Sequence, residues 1–266
     1  MNHDFLSCDW GTTSFRLRWV RGVERKVWRE IREPAGIKSL HEEAAKCGAA
    51  GNARAEIFAR FLRAKLAALF AGEEVPRTTL PLVISGMASS SVGWRELPYG
   101  PAPFALDGGC WRAEELHWNK PDWIGPTHLI SGHATEHEMM RGEEAEIIGL
   151  MAAPELAALR RRCLLILPGT HSKHVRIENE SVVDWRTFMT GELFDVLGRH
   201  SLLRASVDPD TRPTGAEFSE SERAAFREGV LWAREHGLAG GLFRTRTRAV
   251  LGRAHWRRTP GSSAGC

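Results

Sequence analysis

"CDWGTTSFRLRWV", residues 8–20, decides how the first part of this chain folds. Phe15, Leu17 and Trp19 alternate with Arg16 and Arg18, a period of two that predicts a half-buried strand. The short apolar run from Phe5 to Cys8 supplies a partner upstream. Between them stand Asp9, Gly11, Thr12, Thr13 and Ser14. Aspartate, glycine and serine are ordinary turn residues, so one reading is a polar turn. The other is a phosphate cradle, in which Gly11 lets backbone N–H groups approach an anion and Asp9 stands ready for a metal ion.

A second stretch repeats the first. "DWGTTSFRLR" (9–18) set above "LPGTHSKHVR" (167–176) aligns Gly11, Thr12 and Ser14 with Gly169, Thr170 and Ser172, and Leu17 and Arg18 with Val175 and Arg176. Each copy follows an apolar strand and precedes an alternating one. A duplicated Gly-Thr hairpin implies two similar lobes that close over one nucleotide, with the first loop on the Mg²⁺ and γ-phosphate side.

Around these hairpins the chain alternates strand and helix. Residues 39–72 read as one helical stretch, with Ile57, Phe61, Leu62, Leu66 and Leu69 at helical spacing. "LPLVISGMASSSVGW" (80–94) is an apolar strand running into a Gly/Ser loop. Residues 123–153 give a strand, a polar stretch and a helix starting near Arg141 and Gly142. Residues 161–188 read as three strands, followed by helices at "TGELFDVLGRHSLL" and at "SESERAAFREGVLWARE", the latter with a serine cap.

Composition narrows the class of function. Thirty-six basic and 33 acidic residues leave a net charge of only +3, too balanced to point to nucleic acid as a partner. No apolar run is long enough for a membrane helix, and the N-terminal residues lack a signal peptide's pattern. The five cysteines are scattered and form no CxxC pair, which suits a reducing cytoplasm better than a disulfide framework or structural zinc. His133 and His137 have the i, i+4 spacing of a helical zinc pair, but the full motif and a third ligand are missing.

Phosphoryl transfer to a hydroxyl needs phosphate donors, a divalent cation and a carboxylate that orients or deprotonates the acceptor. Asp9 is the metal-side acid. Glu143 and Glu144 in "MRGEEAEIIGL" stand at a helix start, where acids also favour the helix dipole, and either could be the base. Lys173 and Arg186 are candidate contacts for phosphate or a substrate carboxylate. The loop after the second apolar run offers Ser85, Gly86, Ser89, Ser90, Ser91 and Trp94 to a polyhydroxylated ligand.

Taken together, "DWGTTSFRLRWV", "ISGMASSSVGWRELPYG", "MRGEEAEIIGL", "LPGTHSKHV" and "VVDWRTFMTGEL" resemble the 2-dehydro-3-deoxygalactonokinase family, in the family's order and over roughly residues 4–252. The resemblance implies an α/β fold of two ribonuclease-H-like lobes, of the actin-like, sugar-kinase ATPase type. It implies ATP- and Mg²⁺-dependent phosphorylation of 2-dehydro-3-deoxy-D-galactonate at its 6-hydroxyl in galactonate catabolism, by a cytoplasmic protein that could form a homodimer. Asp9 and Gly11 to Ser14 then look like the first phosphate loop, and Gly169, Thr170, His171, Ser172 and Lys173 like the second. The serine loop, Trp94 and Arg186 become sugar-acid contacts.

"GEEAEIIGL" is also similar to a segment of exopolyphosphatases of the same superfamily, in which a glutamate serves catalysis. Two other functions therefore stand beside the kinase: a non-catalytic sugar-acid or nucleotide-binding derivative, and a polyphosphatase-like phosphohydrolase. The expected lobes are residues 1–158 and 159–252. The remaining 253–266, "AHWRRTPGSSAGC" with the arginine before it, departs from the family pattern as an out-of-frame or truncated product would, so the second lobe is expected to be incomplete.

Overall fold

The computed structural model describes residues 4–22, 26–73, 78–207 and 218–251; the tail set apart at 253–266 lies outside the described residues. By its internal contacts the chain falls into two compact units. One holds the described residues up to Leu167 together with Lys173–Thr187, and the other holds Pro168–Ser172 and the described residues from Phe188 onward.

The first unit is built on the expected meander. β1 (Phe5–Trp10) and β2 (Phe15–Arg21) pair antiparallel from Phe5↔Val20 to Trp10↔Phe15, and β3 (Lys26–Glu33) pairs on the far side of β2. The period of two is visible in the burial: Leu6, Cys8, Trp10, Phe15 and Leu17 have no exposed surface. β4 (Leu80–Gly86) then pairs with β1 in parallel, from Leu6↔Leu82 to Trp10↔Gly86. Parallel pairing requires a crossover, and two helices supply it.

Those helices are α1 (Ile37–Lys46) and α2 (Gly51–Leu69), where the spacing predicted one stretch. The break has a local cause. Gly48 and Gly51 both adopt left-handed conformations, at φ 62° and 52°, which end one helix and begin the next. On α2, Ile57, Phe58, Leu62, Leu66 and Leu69 are buried, and Phe61 stacks at 5.6 Å on Trp10.

Several short strands follow: β5 (Gly100–Pro101), β6 (Phe104–Ala105) and β7 (Ala113–Glu115). β8 (Ile124–Ile130) pairs in parallel with β4 and antiparallel with β7, completing a six-stranded sheet in the order β3-β2-β1-β4-β8-β7. β9 (His133–Ala134) and β10 (Met139–Met140) make a small sheet with β5 and lead into α3 (Glu143–Met151), which starts where predicted.

A second sheet holds β11 (Arg162–Leu167), β12 (Ser172–Glu178) and β13 (Ser181–Phe188) in the order β11-β12-β13-β6. Asn179 and Glu180, both at positive φ, turn β12 into β13. Val175, Ile177, Val182 and Trp185 pack with Phe104, Met140, Ile147 and Met151 in a core separate from that of the first sheet. This is the expected α/β architecture, with its three-stranded meander used twice.

The second unit carries α4 (Thr190–His200) and α5 (Glu220–Val250). Ser219 caps α5 reciprocally with Glu222, as the predicted serine cap requires. Gly237, at φ 75° and ψ 166°, interrupts α5.

Candidate active site

The first Gly-Thr loop is a tight turn: the Gly11 amide donates to the Ser14 carbonyl at 2.9 Å. The start of α1 fastens the loop from outside. Ile37 and Lys38 donate their amides to the carbonyls of Gly11 and Thr12, each at 3.0 Å. Gly36 allows this approach, because a Cβ there would stand 2.3 Å from the Thr12 oxygen. Thr12 and Thr13 face solvent. Asp9, at the end of β1, pairs with Arg16 at 3.0 Å.

α3 begins beside this loop. Gly86 is paired with Trp10, and a Cβ on Gly142 would lie 3.2 Å from the Gly86 Cα. Gly142 is at φ 116°, a conformation suited to glycine alone. Its amide donates to both carboxylate oxygens of Glu144 at 2.8 Å. Glu144 has no exposed surface, and burial pushes its carboxyl up to about 7 against the opposing pull of the Gly142 and Glu144 backbone hydrogen bonds. Glu143 instead accepts the Arg141 amide at 3.0 Å and is half-exposed. The structure thus distinguishes two adjacent glutamates that the sequence left equivalent.

The serine loop is more occupied by its own backbone than expected. Ser89 and Ser90 are buried and donate to the carbonyls of Gly86 and Met87. Ser85 is half-buried with its hydroxyl 3.5 Å from the Cys8 carbonyl, and Ser91 is exposed. Trp94 sits in the aromatic core against Phe58, Trp10 and Trp118, and small neighbours in the loop let it turn inward.

The second Gly-Thr loop repeats the first in its own unit. The Glu192 amide of α4 donates to the Thr170 carbonyl at 3.0 Å, and a Cβ on Gly191 would stand 2.5 Å from the Gly169 oxygen. His171 bonds Glu192, and Ser172 shares a hydrogen with Thr190. Lys173, in the first unit, is buried; its ammonium donates to the Met139 carbonyl at 2.6 Å and to Thr187 Oγ1 at 2.8 Å. Thr187 in turn donates to Glu138. Arg186 lies exposed on β13. His133 is buried on β9, where Nδ1 meets the Pro101 carbonyl, whereas His137 is exposed in a turn, so the pair does not share a helical face.

The sequence matches the 2-keto-3-deoxy-galactonokinase family over residues 9–265. The chain belongs to that family. It is 36% identical over 237 residues to a Rhizobium meliloti (strain 1021) protein assigned as the 2-dehydro-3-deoxygalactonokinase DgoK1, covering 87% of this chain and 66% of the relative. It is 29% identical to the 2-dehydro-3-deoxygalactonokinase of Escherichia coli (strain K12), covering 95% of this chain and 73% of the relative. A Sinorhizobium meliloti crystal structure assigned to the same activity superposes with a TM-score of 0.69 at 33% identity, over 94% of this chain and 74% of that one.

Two residues of this galactonokinase-family site had no distinctive sequence signal. Arg141 spreads its guanidinium over the Ser89 carbonyl and hydroxyl and the Leu97 carbonyl, and lies 4.1 Å from the Tyr99 ring centre. It therefore ties the serine loop to the start of α3. Glu146 faces solvent, yet packing and then the Asp9 charge hold its carboxyl above its usual range. Its spacing of three from Glu143 on a helix was the available clue.

Asp9 and Glu146 thus offer two nearby carboxylates. Among the described residues no group of three or more metal-ligating side chains occurs. Mg²⁺ commonly takes one or two protein carboxylates and completes its shell with water and phosphate oxygens, so this donor set fits it.

Proposed function

We propose that this chain is an ATP-dependent kinase that phosphorylates 2-dehydro-3-deoxy-D-galactonate at its 6-hydroxyl, in galactonate catabolism. The observation that carries the reading is Glu144: a fully buried carboxylate, raised to about 7, fixed by the Gly142 amide next to the Gly-Thr turn. A base serves best when its pKa lies near the working pH, and this one is already oriented. Family membership and the two assigned relatives support the substrate.

In this reading Glu144 takes the proton of the attacking hydroxyl. Thr12, Thr13 and Ser14, with Gly11, hold phosphate oxygens, and Asp9 with Glu146 holds Mg²⁺, which when bound offsets the charge of the phosphates. Gly169, Thr170, His171 and Ser172 form the second phosphate loop. Ser85 and Ser91 meet the sugar acid, while Arg141 positions their loop. The lobes are read as residues 1–158 and 159–252, a division supported by the way β11–β13 repeats β1–β3. Among the described residues no helix is long and apolar enough to cross a membrane.

The test is ADP release, coupled to a reporter reaction, with ATP, Mg²⁺ and 2-dehydro-3-deoxy-D-galactonate. Sugar-dependent ADP formation supports the reading. Phosphate release that needs no sugar would replace it with a hydrolase, and ligand-induced stabilisation without ADP would replace it with a binding protein.

A further inference from the structure

β11 stands in the second sheet where β1 stands in the first: each opens a three-stranded meander through a Gly-Thr turn. Their free sides differ. β1 carries β4 in parallel register over five residue pairs, from Leu6↔Leu82 to Trp10↔Gly86. β11 is the end strand of its sheet, so among the described residues the side facing away from β12 holds no strand. Its outward amides and carbonyls form an open template for pairing.

The side chains show the same contrast. Leu6, Cys8 and Trp10 of β1 are fully buried, whereas Leu164 and Ile166 of β11 are 61% and 52% exposed. They alternate with Cys163, Leu165 and Leu167, which pack on the second core. Beyond Arg162 at its start, β11 has no charge, proline or glycine, the devices by which natural edge strands avoid pairing.

We propose that β11 is a docking edge for a polypeptide segment that adds a parallel strand and lays an apolar helix over Leu164 and Ile166. The unit around β1 shows such an occupant within the same chain: β4 pairs in parallel, and its crossover helix α2 buries an apolar stripe. A parallel addition brings a crossover helix with it, because the connecting chain must return over the sheet face. The family supplies a source of that chemistry, since this chain covers only 66% of the Rhizobium meliloti relative.

The experiment uses the full chain, co-expressed with the part of that relative lying outside the 237-residue match, and follows amide exchange across residues 162–167. The expected result is a one-to-one complex in which exchange over β11 slows by about tenfold or more, as for amides newly held in a sheet. The double variant Leu164→Lys, Ile166→Lys keeps its urea unfolding curve, because both positions are exposed, and loses the complex. Absence of a complex, or protection confined to other segments, overturns the proposal. So does a self-associated chain whose β11 amides are protected without the added segment, because the occupant is then a second copy.

Discussion

Gly36 lies so close to Thr12 that a Cβ would stand 2.3 Å from the threonine's carbonyl oxygen, and Gly191 bears the same relation to Gly169 at 2.5 Å. In each case the start of a helix fastens a Gly-Thr loop by donating amides to its carbonyls. The duplication therefore extends from the turns to the devices that hold them. An added methyl must push backbone against backbone, which costs about 1–3 kcal/mol in a packed site. Gly36→Ala and Gly191→Ala are each expected to lower the urea midpoint and raise KM for ATP. Gly149→Ala is the control, since nothing lies within 4 Å of a Cβ there.

Glu144 and Glu143 are separated by one peptide bond and by their surroundings. Only Glu144 is buried and held up to about 7. As a base it works when deprotonated, so kcat is expected to rise through pH 7 and level off above it. Glu144→Gln should lose on the order of 10²–10⁴ in turnover and the pH inflection with it. Glu143→Gln should keep both. Steady-state rates from pH 5.5 to 9 distinguish them, and an unchanged inflection in Glu144→Gln refutes the assignment.

The same carboxyl ties stability to pH. In the unfolded chain it titrates near 4.5 and in the folded chain at about 7. Across that window the folded state keeps a proton that the unfolded state has released, so stability falls as pH rises from 4.5 to 7 and then levels. At 1.36 kcal/mol per pKa unit the loss from this one group is about 3 kcal/mol. Glu144→Gln cannot ionise, so it should melt several degrees above the parent at pH 8, with the gap closing toward pH 4.5. Melting curves at the two pH values test this. Activity would then carry a stability cost at the site of its base.

The strands, the two Gly-Thr turns, the start of α3 and the Ser219 cap were all legible, because each is set by residues adjacent in sequence. Alternation at Phe15, Leu17 and Trp19 needs no knowledge of the distant chain. What could not be read depends on partners far away. Gly36 is explained by Thr12, Lys173 by Met139 and Thr187, and Ser89 by Arg141. Hydroxyls that suit a sugar also suit a local carbonyl, and Ser89 and Ser90 took the carbonyl. Trp94 lies in a polar loop by sequence, yet three aromatic rings from other elements enclose it. The choice between Glu143 and Glu144 likewise needed the neighbours that bury one of them.

Asp9 offers the sharpest separation of function from fold. Its ion pair with Arg16 is partly solvent-exposed, 29% and 38% for the two side chains, and such pairs contribute about 0–1 kcal/mol. Asp9→Asn keeps the size of the side chain and the pairing of β1, so the urea midpoint should move little. Turnover should collapse, because a neutral amide is a poor ligand for a strongly hydrated Mg²⁺. Removing Asp9 also takes away the charge that helps hold Glu146 up, so the Glu146 carboxyl should titrate lower in the variant. A carboxylate-resolved NMR titration reads that shift without any turnover. A variant with normal Mg²⁺ dependence of ADP release would remove Asp9 from the metal side. An unmoved Glu146 titration would separate the two carboxylates.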